Sequence, residues 1–577
     1  MQRQLARVMV LPGLLFLSQV AHAEAVPSDT IRESANKAVR LMESSMTQVS
    51  EHAPCVSCHH GMLPLWTLRV ARDHGVAVND VIQKRVAVKS FSGLLNVDAA
   101  IQGTHVVDEN LDVSELLAFG PEMGVAPSIT TALHARRLLH LQQADGHWKT
   151  MDARPPQSFS HFMVTALVAK TVAAYLPDSV AVKAESLAKA RTWLAANQPV
   201  STEDATYQVL GLTWLGAEAA QVRAAAQDLA ARQKADGGWS ATPERASDVY
   251  ATGEALFALR KTGNIDDAAY QKGAAYLVQS QNADGSWLVK TRLHEVAHVN
   301  PPKMPTGFPG GDDQIMSMFG TTWAVAALSL GLPEEKLAVT ALNEVRPEAP
   351  AWVQTVAFGS DEEVRKVDVK AKTAKGSTPL MVAVADPARA ALLIERGADV
   401  KAVAQSGHTA LSVAAGYRGT AGLIREFHNA GLSAKLGPKT EFHANPLVET
   451  AWTGDADVAR ALLEAGADVK QTMLREGFIP MSPLRAAVLL DSPDVLKELL
   501  HAGGDPNTVD EVPLLSWAAI SNRPAVARVL LDAGANPELK DMYGWTPVKH
   551  ARGIDHDVNL TERLIQAAAE KKLSAVR

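Results

Sequence analysis

Cysteine is nearly missing from this chain: two residues in 577, Cys55 and Cys58. With no second C-x-x-C pair, a structural zinc site lacks the two further soft or imidazole ligands it requires. No βαβ pattern surrounds the pair either, which removes the setting of a thioredoxin-like redox motif. Aromatic residues make up only 5%, against 47% hydrophobic residues overall, so packing falls to Ala, Val and Leu, a helical and repeat-like composition. No basic stripe accompanies the formal net charge of −7, and nucleic acid is excluded as a partner. Long apolar runs are missing too: Val8 to Val20 is about 13 residues, short of a bilayer span.

The two cysteines stand together in Cys55-Val56-Ser57-Cys58-His59, a C-x-x-C-H signature. Covalent haem attachment needs this arrangement: each thiol adds across one porphyrin vinyl group, and the following imidazole reaches the iron. Haem c is therefore the expected cofactor, held by Cys55 and Cys58 with His59 as proximal iron ligand. Met123, in the Gly/Pro loop Phe119 to Gly124, is the candidate distal ligand, with His105 as another loop candidate. His60 and Met62 lie too near in sequence to swing to the opposite face. The competing reading is a local Cys55–Cys58 disulfide in a haem-free scaffold.

Arg3 and Arg7, the apolar run after them and the small-x-small pattern Ala21-His22-Ala23 read as a signal peptide over residues 1–23. The expected location is periplasmic or otherwise exported, with no transmembrane anchor. Bacterial haem attachment of this type takes place outside the cytoplasmic membrane, which agrees with export. Residues 24–110 read as a helical haem-attachment segment, with helices from Ile31 to about His52 and from about Met62 to His74.

Three later stretches repeat the pattern Q-x-A-D-G-x-W: Gln142 to Trp148, Gln233 to Trp239 and Gln281 to Trp287, with Trp193 to Gln198 as a degenerate copy. Asp-Gly makes the tight turn, Gln bonds across to neighbouring backbone, and Trp stacks on an adjoining helix end. Over residues 111–335 the chain resembles the α/α-toroid superfamily of squalene and hopene cyclases and protein prenyltransferases, whose QW motifs read Q-x-x-D-G-x-W. That resemblance implies a toroid of paired helices, with the first helices supplied by residues 24–110. It implies little about the reaction: no D-x-D-D acid cluster occurs, and Asp312-Asp313 lacks the rest of D-D-x-x-D and reads as a helix cap. His294-Glu295-Val296-Ala297-His298 matches H-E-x-x-H, but Asn300-Pro301-Pro302 cuts that segment off, so a solvated loop at the toroid mouth is expected.

After a linker over 336–350, residues 351–577 carry a second period. Thr378-Pro379-Leu380, Thr409-Ala410-Leu411, Asn445-Pro446-Leu447, Ser482-Pro483-Leu484, Val512-Pro513-Leu514 and Thr546-Pro547-Val548 open successive units, and turns such as Gly397-Ala398-Asp399 close them. The pattern resembles an ankyrin array, which implies an interaction module for a protein partner, here a possible redox partner. The whole reads as all-α: a haem-bearing α/α toroid followed by an ankyrin solenoid, used for electron transfer or redox sensing. An alternative is a toroid enzyme acting on a polyprenyl, lipid or glycan substrate, which requires acidic side chains converging in the toroid centre.

Overall fold

The computed structural model describes residues 25–52, 58–103, 108–151, 156, 160–292, 306–335, 337–338, 342, 349–435, 445–475, 479–553 and 560–576. Among these, strands are confined to two short hairpins, β1 (Met473–Arg475) with β2 (Ile479–Met481) and β3 (Val509–Asp510) with β4 (Val512–Pro513). No helix among the described residues is long and apolar enough to cross a membrane.

In chain order the first thirteen helices are α1 (Ser28–His52), α2 (Leu63–Asp73), α3 (Asp80–Leu94), α4 (Val97–Gln102), α5 (Glu109–Ala118), α6 (Ile129–His140), α7 (His161–Tyr175), α8 (Lys183–Ala196), α9 (Thr202–Trp214), α10 (Ala219–Ala231), α11 (Val249–Lys261), α12 (Asp267–Gln279) and α13 (Gln314–Ser329). They form two concentric layers. The inner ring runs α5, α7, α9, α11, α13 and α2, and α5 meets the turn Cys58–Met62 ahead of α2 to close it. Composition explains the sorting. α7 and α13 are apolar on nearly every face, as helices touched from all sides must be, whereas α8 buries only the stripe Ser186, Ala190 and Leu194. Ser160, Ser201 and Asp248 cap the inner helices α7, α9 and α11 by accepting from their first-turn amides.

The Q-x-A-D-G-x-W turns bind the layers by one repeated set of bonds. Trp148, Trp239 and Trp287 are fully buried, and each indole donates to a carbonyl ten residues back, of Leu138, Leu229 and Leu277, at 2.6, 2.8 and 2.7 Å. Each Gln side chain donates forward to the next outer helix, at Ser186, Ala269 and, for Gln281, Ser34 of α1. That last bond fastens the two ends of the ring. The glycine is required at Gly237, where φ is +87° and a Cβ would fall 2.5 Å from the Lys272 carbonyl oxygen. At the degenerate copy, Gln208 instead donates to the Leu194 and Asn197 carbonyls, while Trp193 stacks on His147.

Seven helix pairs follow among the described residues: α14 (Ala351–Phe358) with α15 (Asp361–Val364), α16 (Pro379–Ala383) with α17 (Pro387–Glu395), α18 (Ala410–Ala414) with α19 (Ala421–Asn429), α20 (Pro446–Thr453) with α21 (Ala456–Glu464), α22 (Pro483–Leu489) with α23 (Pro493–His501), α24 (Leu514–Ile520) with α25 (Pro524–Asp532), and α26 (Pro547–Gly553) with α27 (Leu560–Val576). Thr378, Thr409, Asn445 and Ser482 each cap the first helix of a pair, with proline at the first helical position in three of the four. Val512-Pro513 departs from this pattern by pairing in β4 instead of capping. In the Gly503-Gly504 turn the left-handed residue is Gly503.

The array lies against the toroid through the first helices of its pairs and the turns at their ends. Arg136 donates to the Val382 carbonyl at 3.0 Å, Gln102 to Ser377 at 2.7 Å, Lys149 to the Asp491 carbonyl at 2.8 Å and Arg523 to the Thr150 carbonyl at 3.2 Å. Asp98 accepts from Thr373 and Ser377.

Candidate functional site

Each outer helix hands over to its inner partner at the same end of the ring, so the inner-helix N-termini together form one mouth. In sequence the C-x-x-C-H motif falls between α1 and α2. Cys55 falls outside the described residues. Cys58 and His59 sit in a π-helical turn, Cys58–Met62, that runs directly into α2, and their side chains are also outside the described set. His60 and Met62 of that turn are buried. π-Helical turns are rare and concentrate at functional positions.

Met123 ends the 3₁₀ turn Pro121–Met123, half-buried against the core. The turn packs beside α2, where Phe119 stacks on Trp66 at 4.6 Å between centroids. His105 and the segment His294 to His298 lie outside the described residues. Asp313 does not cap its helix as expected; its carboxylate accepts from the Thr291 amide at 2.8 Å, pinning the approach to that segment. Among the described residues no group of three His, Cys, Asp or Glu side chains is disposed to hold a metal ion.

Acidic side chains do converge at the mouth. Glu203 opens α9 and Glu254 lies one turn into α11, both lining a cavity of about 310 Å³ with His161, Trp193, Tyr250 and Arg292. Tyr250 donates its hydroxyl to Glu203 at 2.9 Å. Glu254 is 1% exposed, and neither of its carboxylate oxygens has a hydrogen-bond partner. Burial, and then the neighbouring charges of Glu203, Asp248 and Asp204, raises its carboxyl well above the usual range. His161 moves the other way. Burial, and then Arg523, His147 and Lys149 nearby, push it well below the ordinary histidine value, leaving a neutral imidazole.

The ankyrin array completes the cavity. Ser521, Asn522 and Arg523, in the turn between α24 and α25, form part of its lining. Asn522 adopts φ +48°, a left-handed conformation that Asn tolerates better than most residues. Arg523 is half-buried, and desolvation shifts its guanidinium downward.

Comparison with known proteins agrees with this architecture. Residues 176–271, which include α9, α10 and α11, match the family model described as the squalene-hopene cyclase N-terminal domain. The chain is 28% identical over 181 residues to the putative ankyrin repeat protein YahD of Escherichia coli, covering 30% of this chain and 86% of that protein. The chain is an α/α toroid joined to an ankyrin array. It is also 32% identical over 110 residues to human SH3 and multiple ankyrin repeat domains protein 2, covering 19% of this chain and 6% of that one. With the Drosophila melanogaster E3 ubiquitin-protein ligase Ufd4 it shares 30% identity over 113 residues, spanning 18% of this chain and only 4% of the relative. The solved ankyrin repeat domain of human ASB11 aligns with a TM-score of 0.33 at 23% identity, covering 38% of this chain and 98% of that one. Ankyrin homologues place the array among protein-binding modules.

Sequence reasoning missed Glu203, Glu254, His161 and Arg523. One signal was present: Glu254 is the only charged residue between Val249 and Leu259 in an otherwise apolar helix.

Proposed function

We propose that the protein is an exported c-type haem protein for electron transfer or redox sensing, its haem carried at the toroid mouth and its ankyrin array docking a protein partner. The observation that carries this is the placement of the motif's second half: Cys58 and His59 begin the π-helical turn that opens inner helix α2. The donor set has the right chemistry, two thiols separated by two residues with an imidazole immediately after. When bound, haem supplies one-electron redox chemistry. Cys55 and Cys58 anchor the group, His59 holds the iron from the proximal side, and Met123 is the candidate for the distal side.

Partner docking takes a particular form here. First helices and turns of several ankyrin pairs already contact the toroid, so a partner is taken up by the outward-facing second helices, such as α17, α19 and α21.

A haem stain after denaturing electrophoresis tests the reading, using full-length chain made together with haem-attachment machinery and Cys58→Ser as control. A stained wild-type band beside a colourless variant is expected; a colourless wild type overturns the reading and favours the Cys55–Cys58 disulfide. His59→Ala is expected to shift the Soret band, and an unchanged spectrum removes His59 from the iron.

A further inference from the structure

The axis of the ring is filled. Trp66 stacks on Phe119 at 4.6 Å and meets Phe257 and Trp323 edge-on at 5.0 and 5.7 Å, so inner-helix aromatics occupy the place where a long isoprenoid chain would thread. What stays open is the cavity above them, about 310 Å³, at the small end of the roughly 300–1,000 Å³ usual for ligand pockets.

Its walls select a neutral, hydroxyl-rich ligand. Trp193 and Phe162, with centroids 4.8 Å apart, offer flat apolar surface on one side. Asn197, Gln198 and Asn522 offer amide donors and acceptors. Arg292 and Arg523 stand with the carboxyl groups in the same lining, so neither a strongly anionic nor a strongly cationic ligand finds an uncompensated field. Into this space faces Glu254, buried and with both oxygens unpartnered, while Glu203 is held by the Tyr250 hydroxyl. Two carboxyl groups in unlike surroundings are what hydrolysis of a glycosidic bond uses, one to give a proton and one to take it.

We propose that this cavity is a saccharide site at which Glu254 donates a proton to a glycosidic oxygen and Glu203 accepts one from the attacking water. The bond between the anomeric carbon and the leaving oxygen breaks as the water oxygen bonds to that carbon. The Glu254 proton leaves on the released alcohol, the water proton goes to Glu203, and exchange with solvent restores both groups. Asn522 and Arg523 make the site a joint product of toroid and array.

The test uses the full-length chain with disaccharides and 4-nitrophenyl glycosides of glucose, galactose, mannose, xylose and N-acetylglucosamine, in both anomeric forms. At least one sugar is expected to be hydrolysed. Glu254→Gln should lower kcat on the disaccharide roughly 100-fold, the usual scale for a lost general acid. On the matching nitrophenyl glycoside its effect should be much smaller, because nitrophenolate leaves without a proton. Glu203→Gln should slow both substrates alike, and Arg523→Ala should raise KM. No hydrolysis anywhere in the panel overturns the proposal, and so does an equal loss on both leaving groups in Glu254→Gln. A purely structural role for Glu254 could not produce the leaving-group dependence.

Discussion

The Arg137 guanidinium lies between two carboxylates from different domains, pairing with Glu109 of its own toroid and donating to Glu449 of the ankyrin array at 2.8 Å. Its side chain is 4% exposed, and those of Glu109 and Glu449 are 3% and 8% exposed. Burial works against the cation, yet the two carboxylates outweigh it and hold the guanidinium firmly charged.

Removing Arg137 takes away the cation that two buried carboxylates share, which costs about 3–5 kcal/mol. Arg137→Ala is therefore expected to lower the urea midpoint and to split unfolding into separate toroid and array transitions. An unchanged single transition would show that this triad does not couple the domains.

The repeated tryptophan turns make a graded series. Trp239→Phe loses the bond to the Leu229 carbonyl, about 1 kcal/mol, while Trp239→Ala also opens a cavity and costs about 3–5 kcal/mol. Gly237→Ala should destabilise as well, because its Cβ meets the Lys272 backbone on α12. Thermal melts of the three variants check the order; equal Tm values for Trp239→Phe and Trp239→Ala would contradict it.

The buried histidine His134 donates Nε2–H to the Leu94 carbonyl, and burial pushes its pKa down to about 4, from an unfolded value near 6.5. Between those values the unfolded chain binds the extra proton. Stability therefore rises with pH, is complete above about 6.5, and is lost as pH falls toward 4, by about 3 kcal/mol in all. Urea titrations at several pH values should show this slope, flattened in His134→Gln; an equal slope in the variant would assign it elsewhere.

Glu254 carries the opposite sign. Its folded carboxyl is raised, so the folded chain binds more protons, and stability falls as pH climbs from the unfolded carboxylate range toward the folded value. Glu254→Gln removes that liability, and its stability relative to wild type should improve as pH rises above the ordinary carboxylate range. A constant difference would mean that Glu254 does not hold its proton in the fold.

Both domains could be read from local grammar. Gln, Gly and Trp of each turn act within ten residues or on the next outer helix, and Thr378 or Ser482 caps the helix it begins. Such short-range rules leave a periodic trace. The docking of the array leaves none: Arg137 and Glu449 are 312 positions apart, and each alone resembles an ordinary helix charge. Glu203 and Glu254 were hidden for a related reason, since they meet only because α9 and α11 are neighbours in the ring. The alternation that places them there is visible in sequence, but the direction in which each carboxyl points is not.

The bond from Gln281 to Ser34 joins residues 247 positions apart. It sets a schedule. A chain emerging N-terminus first holds α1 and α2 as loose staves until the last tryptophan turn and α13 have also appeared.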